Sequence, residues 1–370
     1  MAAYAAFAGI EGIVFFQNKQ IALGKLSQAI AYNATCVQVS ADFDRNMELV
    51  REVAEALDIY VLNSVNPFRL EGQKAIIFEA LQQLRWQVPD WIVCPGGNLG
   101  NSSAFGKALH ELHALGLIDR LPRIAAAQES HTLNIKDYDA AVKEGLIVEF
   151  DPDPAYIEQL GRLIDLRPII DAGLRVLVDP MWGVGMGWFP RLLSGGKTVV
   201  REIHNERNPL FPDMRRPEPI DDNLQRLLRT VPEWNADVGL ATDGDADRVG
   251  LVSEKGVFVN QLQVYALLAY YLLEVRGERG PLVKTISTTS MANKLAKRYG
   301  VEVYETGVGF KFVAPEMMRV DAIMGGEESG GFAFHGHIPE RDGVLAGLYL
   351  LDLMVRRGKS PSELLQEVFD

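Results

Sequence analysis

Thr242-Asp243-Gly244-Asp245-Ala246-Asp247-Arg248 places three carboxylates at i, i+2 and i+4 between two apolar runs, Val238-Gly239-Leu240-Ala241 and Val249-Gly250-Leu251-Val252. The flanks read as buried strands, so the acids sit on the loop between them. Alternating side chains on an extended loop converge on one hard cation, and oxygen-only ligation favours Mg²⁺ or Ca²⁺ over zinc or copper. Without a positive partner the three acids repel one another. An EF-hand is the rival reading, with Asp243, Asp245 and Asp247 at positions 1, 3 and 5 and Glu254 at position 12. Its position 6 requires glycine for a sharp turn and here holds Arg248. A solvated acidic turn is the plainer alternative. Neither accounts for an arginine directly after the acids, whereas a phosphorylated substrate does. The metal neutralises phosphoryl oxygens and the guanidinium holds them.

Two further runs point the same way. Gly325-Gly326-Glu327-Glu328-Ser329-Gly330-Gly331 follows the strand-like Asp321-Ala322-Ile323-Met324, and its glycines let backbone approach a ligand closely. Glu327 and Ser329 are expected to point to one side, where they accept from and donate to sugar hydroxyls. Glu305-Thr306-Gly307-Val308-Gly309-Phe310-Lys311 offers free N–H groups and a lysine after a short strand.

Together these runs resemble the α-D-phosphohexomutases, the phosphoglucomutase/phosphomannomutase family, over roughly residues 138–370. The resemblance implies Mg²⁺ on Asp243, Asp245 and Asp247 and a hexose phosphate as ligand. It puts Glu327 and Ser329 on the sugar. Arg248, Thr306, Gly307 and Lys311 fall among phosphate-contacting or proton-transferring groups. The family's chemistry also needs a phosphoserine in a Thr-Ala-Ser-His-Asn-Pro-like loop. The nearest string, Gln128-Glu129-Ser130-His131-Thr132-Leu133, lacks the Ala, Asn and Pro, so Ser130 is expected to be an ordinary linker serine. The expectation is the family's second and third domains without the phosphoserine domain or the C-terminal one.

The first 127 residues read differently. The strand-like Trp91-Ile92-Val93-Cys94 runs into Pro95-Gly96-Gly97-Asn98-Leu99-Gly100-Asn101-Ser102-Ser103, with a helix expected from about Ala104 to Leu115. Strand, Gly/Asn-rich turn and helix N-terminus make an anion cradle. The spacing fits neither a Walker loop nor a dinucleotide fingerprint. With the upstream run Asn63-Ser64-Val65-Asn66-Pro67-Phe68-Arg69-Leu70-Glu71-Gly72-Gln73-Lys74, this segment looks like threonine synthase, a PLP enzyme. The resemblance implies that Gly97, Asn98, Leu99, Gly100 and Asn101 bind the PLP phosphate, and that Ser64 and Arg69 hold the phosphate of phosphohomoserine. The lysine that forms the Schiff base is expected to lie upstream of Met1, since neither Lys19 nor Lys25 has a matching context.

Apolar strand-like runs alternate with helical ones along the chain, so mainly parallel sheets in three-layer α/β/α units are expected. The expected division is an incomplete PLP-type (fold type II) segment at 1–128, a junction at 129–153, a metal-loop domain at 154–255 and a sugar-loop domain at 256–370. Ile59-Tyr60-Val61-Leu62 is among the expected strands. At 48% hydrophobic and 23% charged residues, the chain has the composition of a soluble globular protein. A net charge of −12 argues against nucleic acid as a partner. No apolar run is long enough to span a membrane. Cys36 and Cys94 lie in apolar stretches and read as buried thiols of a reducing cytoplasm. His110 and His113 are expected on a polar helix face, His335 and His337 on a surface loop, and Tyr265, Tyr270 and Tyr271 in packing. Three functions stay open: a Mg²⁺-dependent phosphohexomutase or its remnant, a PLP-dependent threonine synthase or its remnant, and an inactive fusion or misassembled reading frame. In the last case the truncated N-terminal faces would favour self-association.

Overall fold

The computed structural model describes residues 2–17, 23–40, 43–62, 66–96, 99–127, 142–143, 145, 150–206, 208, 211–212, 214 and 216–369. The chain divides into two compact units, Met1–Phe150 and Asp151–Asp370. Ser64, Gly97, Asn98 and Ser130 lie outside the described residues.

In the first unit, β1 (Ile13–Gln17) pairs in parallel with β2 (Thr35–Val39), and β3 (Trp91–Pro95) in parallel with β4 (Arg123–Ala127). The helix Gly100–Ala114 lays Ala104, Phe105, Ala108, Leu109 and Leu112 on a small core with Ile77, Leu81 and Cys94. These positions follow the i, i+1, i+4, i+5, i+8 stripe of an amphipathic helix. The opposite face of β3 leaves Trp91 and Val93 exposed. Ile59–Leu62 is not a strand. Four apolar residues suit a strand only where a neighbour completes the ladder, and here Val61 spends its carbonyl on the Asn66 side chain at 3.0 Å. Cys36 is half-buried rather than buried, while Cys94 is buried, and both are free thiols.

The second unit carries two sheets. In the first, β5 (Arg175–Asp179) is flanked in parallel by β6 (Val199–Glu202) and β7 (Val238–Thr242). Antiparallel β8 (Val249–Ser253) and β9 (Phe258–Val259) complete the order β6-β5-β7-β8-β9. Every residue of β7 and β8 is buried, which is why both read as continuous apolar runs instead of alternating ones. In the second sheet, β10 (Leu282–Thr285) runs parallel to β11 (Val303–Thr306) and β12 (Met324–Gly326), and β13 (Phe332–Phe334) closes antiparallel to β12. One core joins the two sheets. It takes Val238, Leu240, Val249 and Leu251 from the first, Leu282, Met324, Phe332 and Phe334 from the second, and the helices Gln261–Tyr270 and Gly343–Arg357. Helix Gln261–Tyr270 starts at a capping box of Asn260 and Gln263 and is buried nearly all round, Tyr265 included. No described helix is long and apolar enough to cross a membrane.

Candidate metal and sugar-phosphate site

Asp243–Arg248 is the loop of the β7–β8 hairpin, closed by the pair Thr242↔Val249. Ala246 takes a left-handed φ of 58°, and its N–H returns to the Asp243 carbonyl at 3.1 Å. One carboxylate oxygen from each of Asp243, Asp245 and Asp247 falls within 4.8 Å of the other two. The legs are strands, and Glu254 accepts from the Ser362 hydroxyl instead of facing the acids, so the loop is not an EF-hand. Nor is it a solvated turn, since Asp243 is only 4% exposed.

Burial pushes the Asp243 carboxyl up to about 8. The Arg248 N–H, which donates to its Oδ1 at 2.9 Å, opposes the rise, and the Asp247 and Asp245 charges add to it. Burial also raises Asp247, against the pull of Arg341. Asp247 Oδ1 is buried and makes no hydrogen bond among the described residues. A buried carboxylate oxygen that makes no hydrogen bond, with Arg248 Nε 3.5 Å away and two other carboxylates beside it, suits a hard divalent cation. By this measure the residues fit Mg²⁺.

Three neighbouring segments shape the loop. The turn after β5 brings Val184, whose N–H donates to the Gly244 carbonyl at 3.1 Å. A Cβ at Gly183 would stand 2.5 Å from that same oxygen, so this approach needs glycine. The run 325–331 meets the hairpin through an antiparallel bridge, Arg248↔Gly331, and the Val249 N–H donates to the Gly330 carbonyl at 3.0 Å. The turn before helix Gly343–Arg357 is tied by the Gly343 N–H to the Ala246 carbonyl at 2.9 Å.

Of the residues singled out in the sequence, the structure gathers Asp243, Asp245, Asp247, Arg248, Glu327 and Ser329. The Ser329 hydroxyl donates to Glu327 Oε2 at 3.2 Å, so the two do share a side. Burial raises the Glu327 carboxyl, against the pull of Arg341. The Arg248 guanidinium is engaged by acids, with Nε 3.4 Å from Asp243 and 3.5 Å from Asp247, and Nη1 3.5 Å from Glu218. Thr306 ends β11 and bonds the Gly307 carbonyl. Lys311 is exposed, with its ammonium 5.0 Å over the Phe312 ring. In the first unit, Leu99 holds a left-handed φ of 57° before Gly100 opens its helix, Asn101 accepts from Gln73 at 3.0 Å, and Arg69 is exposed.

His337 departs from expectation. It is largely buried, its Nε2 3.0 Å from Asp342, and Asp342 also accepts the Tyr156 hydroxyl at 2.9 Å. A partner 186 residues away in the chain leaves no local trace in the sequence. Arg341 and Lys284 escaped the sequence reading as well. Arg341 binds Asp247 at 2.6 Å. Lys284 is buried on β10, bonded to Glu305 at 2.6 Å. A lysine inside an apolar strand run was the available signal for the second, since such a charge needs a partner.

The second unit, with its hairpin of acids, facing glycine run and two mixed sheets, is similar to the phosphohexomutases in the comparisons with known proteins. Residues 154–256 match "Phosphoglucomutase/phosphomannomutase, alpha/beta/alpha domain II" and 260–370 match domain III, while 1–181 match "Pyridoxal-phosphate dependent enzyme". The chain therefore joins a segment of the PLP-enzyme type to phosphoglucomutase/phosphomannomutase domains II and III. The matches overlap at 154–181, where β5 pairs with β6 and β7, so that stretch is built into the second unit.

The N-terminal part is 48% identical over 128 residues to threonine synthase of Methanocaldococcus jannaschii, covering 35% of this chain and 32% of that protein. The remainder is 35% identical over 215 residues to phosphoglucomutase/phosphomannomutase of Thermococcus kodakarensis, covering 58% of this chain and 46% of the relative. A solved structure from Thermus thermophilus, described as a phosphomannomutase, superposes with a TM-score of 0.57 at 34% identity, over 72% of this chain and 56% of that one. The chain thus spans from about a third to about half the length of these curated relatives.

Proposed function

We propose that residues 151–370 bind a hexose phosphate together with Mg²⁺, as the metal and sugar half of a phosphohexomutase-type phosphotransferase. The carrying observation is the hairpin triad, whose Asp247 keeps one buried oxygen without a hydrogen bond, with the next residue, Arg248, bridged to Gly331 at the end of the run that holds Glu327 and Ser329. In this reading Asp243, Asp245 and Asp247 hold the cation, which when bound draws charge from phosphoryl oxygens. Arg248 lies beside the triad and supplies a fork for the same oxygens once the acids are neutralised. Glu327 and Ser329 present an acceptor and a hydroxyl to the sugar ring, and Thr306, Gly307 and Lys311 extend the anion-binding side. The domains of this reading are 154–255 and 256–370, with 129–153 as junction and 1–128 as the PLP-type segment. A cytoplasmic, Mg²⁺-containing setting suits such a ligand.

Turnover by this chain is expected to be negligible, because Ser130-His131 lacks the flanking residues of a phosphoserine loop. Calorimetry on the full chain should register Mg²⁺ uptake that glucose 1-phosphate strengthens. Lack of any uptake, with or without the ester, refutes the site. Conversion of glucose 1-phosphate with Mg²⁺ and a bisphosphate activator that Ser130→Ala abolishes would refute the claim of negligible turnover.

A second reading concerns the first unit. We infer that residues 97–101 and the N-terminus of helix Gly100–Ala114 hold the phosphate of PLP, and that Ser64 and Arg69 bind a second phosphate. The left-handed Leu99 immediately before that helix supports it, since such a turn exposes N–H groups. Reversible quenching of the described tryptophans by PLP, lost in Gly100→Glu, would support this reading, and identical quenching of the variant would refute it.

A further inference from the structure

Arg341 stands where the two ligand runs meet. Its Nη2 lies 2.6 Å from Asp247 Oδ2 and its Nη1 3.4 Å from Glu327 Oε2, with Nε 3.2 Å from Glu340. The guanidinium rests 5.3 Å over the Phe310 ring and the side chain is 22% exposed. Gly331 makes the room, since a Cβ there would come within 2.2 Å of Arg341 Cδ. The turn bearing Arg341 is held on both sides. The Asp342 N–H donates to the Phe332 carbonyl at 3.0 Å, and the Gly343 N–H to the Ala246 carbonyl at 2.9 Å. Its backbone is therefore fixed to the metal hairpin and to the strand that follows the sugar run, while the side chain forks between one acid of each.

We propose that Arg341 couples the two sites, as one cation shared between Asp247 and Glu327 that the metal displaces from the first toward the second. The inference rests on the reading of the triad as a Mg²⁺ site. Asp247 gives one oxygen to Arg341 at 2.6 Å and keeps the other buried without a hydrogen bond, with Arg248 Nε more loosely placed 3.5 Å from it. With a divalent ion held by the triad, Asp247 would give its charge to that ion and the guanidinium would lose its shorter contact. Glu327 remains within reach, so the fork turns to that carboxylate and to the anionic ester beside it. Each ligand then favours the other by the same factor, as linkage requires. Removing the guanidinium also removes a competitor for Asp247.

The test is calorimetry on the full chain with Mg²⁺, with α-D-glucose 1-phosphate and α-D-mannose 1-phosphate, and with each in the presence of the other. In the wild type, metal and ester should tighten one another by about tenfold, within the usual range of such couplings. Arg341→Gln should bind Mg²⁺ alone as well as the wild type or several-fold more tightly, with the coupling factor at least threefold smaller and only the direct attraction between metal and phosphoryl oxygens left. Arg341→Lys keeps a point charge without the fork and should show a coupling at least threefold smaller than the wild type. A purely structural role predicts the opposite for the metal, because a disturbed hairpin binds it more weakly. Weaker Mg²⁺ binding by Arg341→Gln, or wild-type coupling in either variant, overturns the proposal alone. Failure of the wild type to bind Mg²⁺, or to bind either ester, overturns the underlying reading and this proposal with it.

Discussion

Replacing Gly343 by alanine should drive the acid-bearing hairpin away from the helix behind it. A Cβ at 343 would lie 2.3 Å from the Arg248 carbonyl oxygen, 2.7 Å from its carbon and 2.9 Å from the Ala246 carbonyl oxygen. All three neighbours are backbone atoms, so no rotamer change relieves the clash. Reaching ordinary contact requires about 1 Å of separation. That movement strains the 2.9 Å hydrogen bond from Gly343 to Ala246 and withdraws Arg341 from Asp247. Overpacking of this kind costs about 1–3 kcal/mol, and the weakened hydrogen bond about 1 kcal/mol more. The sum, about 2–4 kcal/mol, corresponds to a fall of about 4–16 °C in the melting temperature of a unit this size. Differential scanning calorimetry reads it, with Mg²⁺ titration on the same samples to show that uptake weakens. Gly161→Ala is the control, since it sits in the helix Asp153–Leu163 with nothing within 4 Å of its Cβ. Alanine there should hold or raise stability by up to about 1 kcal/mol. A Gly343→Ala protein that melts within about 1 °C of the wild type and takes up Mg²⁺ unchanged would refute the claim that this backbone approach positions the acids.

Three further outcomes are expected. Burial raises Asp243 to about 8, so its contribution to stability is full below the unfolded value and fades as pH rises through 8. The metal-free chain should therefore melt at lower temperature at pH 8.5 than at pH 6, and Mg²⁺ should remove much of that fall. An equal loss in Asp243→Asn would show that the slope has another source. Burial tends to raise Glu367, but hydrogen bonds from Lys359, Tyr270 and Arg357 outweigh it and hold the carboxyl down at about 2. Its support is present above the unfolded value and is lost as pH falls toward 2, so Glu367→Gln should lower the melting temperature at pH 7 and much less at pH 2.5. After allowance for solvent screening the pH 7 effect is about 1 kcal/mol, and an equal effect at both pH values would contradict it. Trp91 and Val93 expose an apolar strip on β3, and we expect the chain to self-associate through it. Val93→Lys should shift its sedimentation toward smaller species, and an unchanged distribution would exonerate the strip.

Much of the second unit was legible because its strands are buried on both faces and its acids are adjacent in the chain. Val238–Thr242 and Val249–Ser253 are runs that suit little else, and a turn between them confines Asp243, Asp245 and Asp247 to one place. The helix Met291–Tyr299 carries local signals, with Ala292, Leu295 and Ala296 buried on one face and Gly300 taking a left-handed φ after it. Arg341 was not legible, because it acquires meaning only when Gly331 and Asp247 converge on it from distant positions. His337 failed for a related reason: its partner Asp342 is only five residues on, but the burial of that pair depends on Tyr156, 186 residues from Asp342. Ile59–Leu62 shows the opposite error, an apolar run credited with a ladder that no neighbour among the described residues supplies. The assignments of Ser64, Gly97 and Asn98 rest on resemblance alone.

The acids hang from a hairpin whose two legs are wholly buried. The entropy of ordering the three acids is therefore met when the apolar side chains around those legs collapse. A cation that binds there meets a loop already fixed by folding and does not have to organise a flexible one.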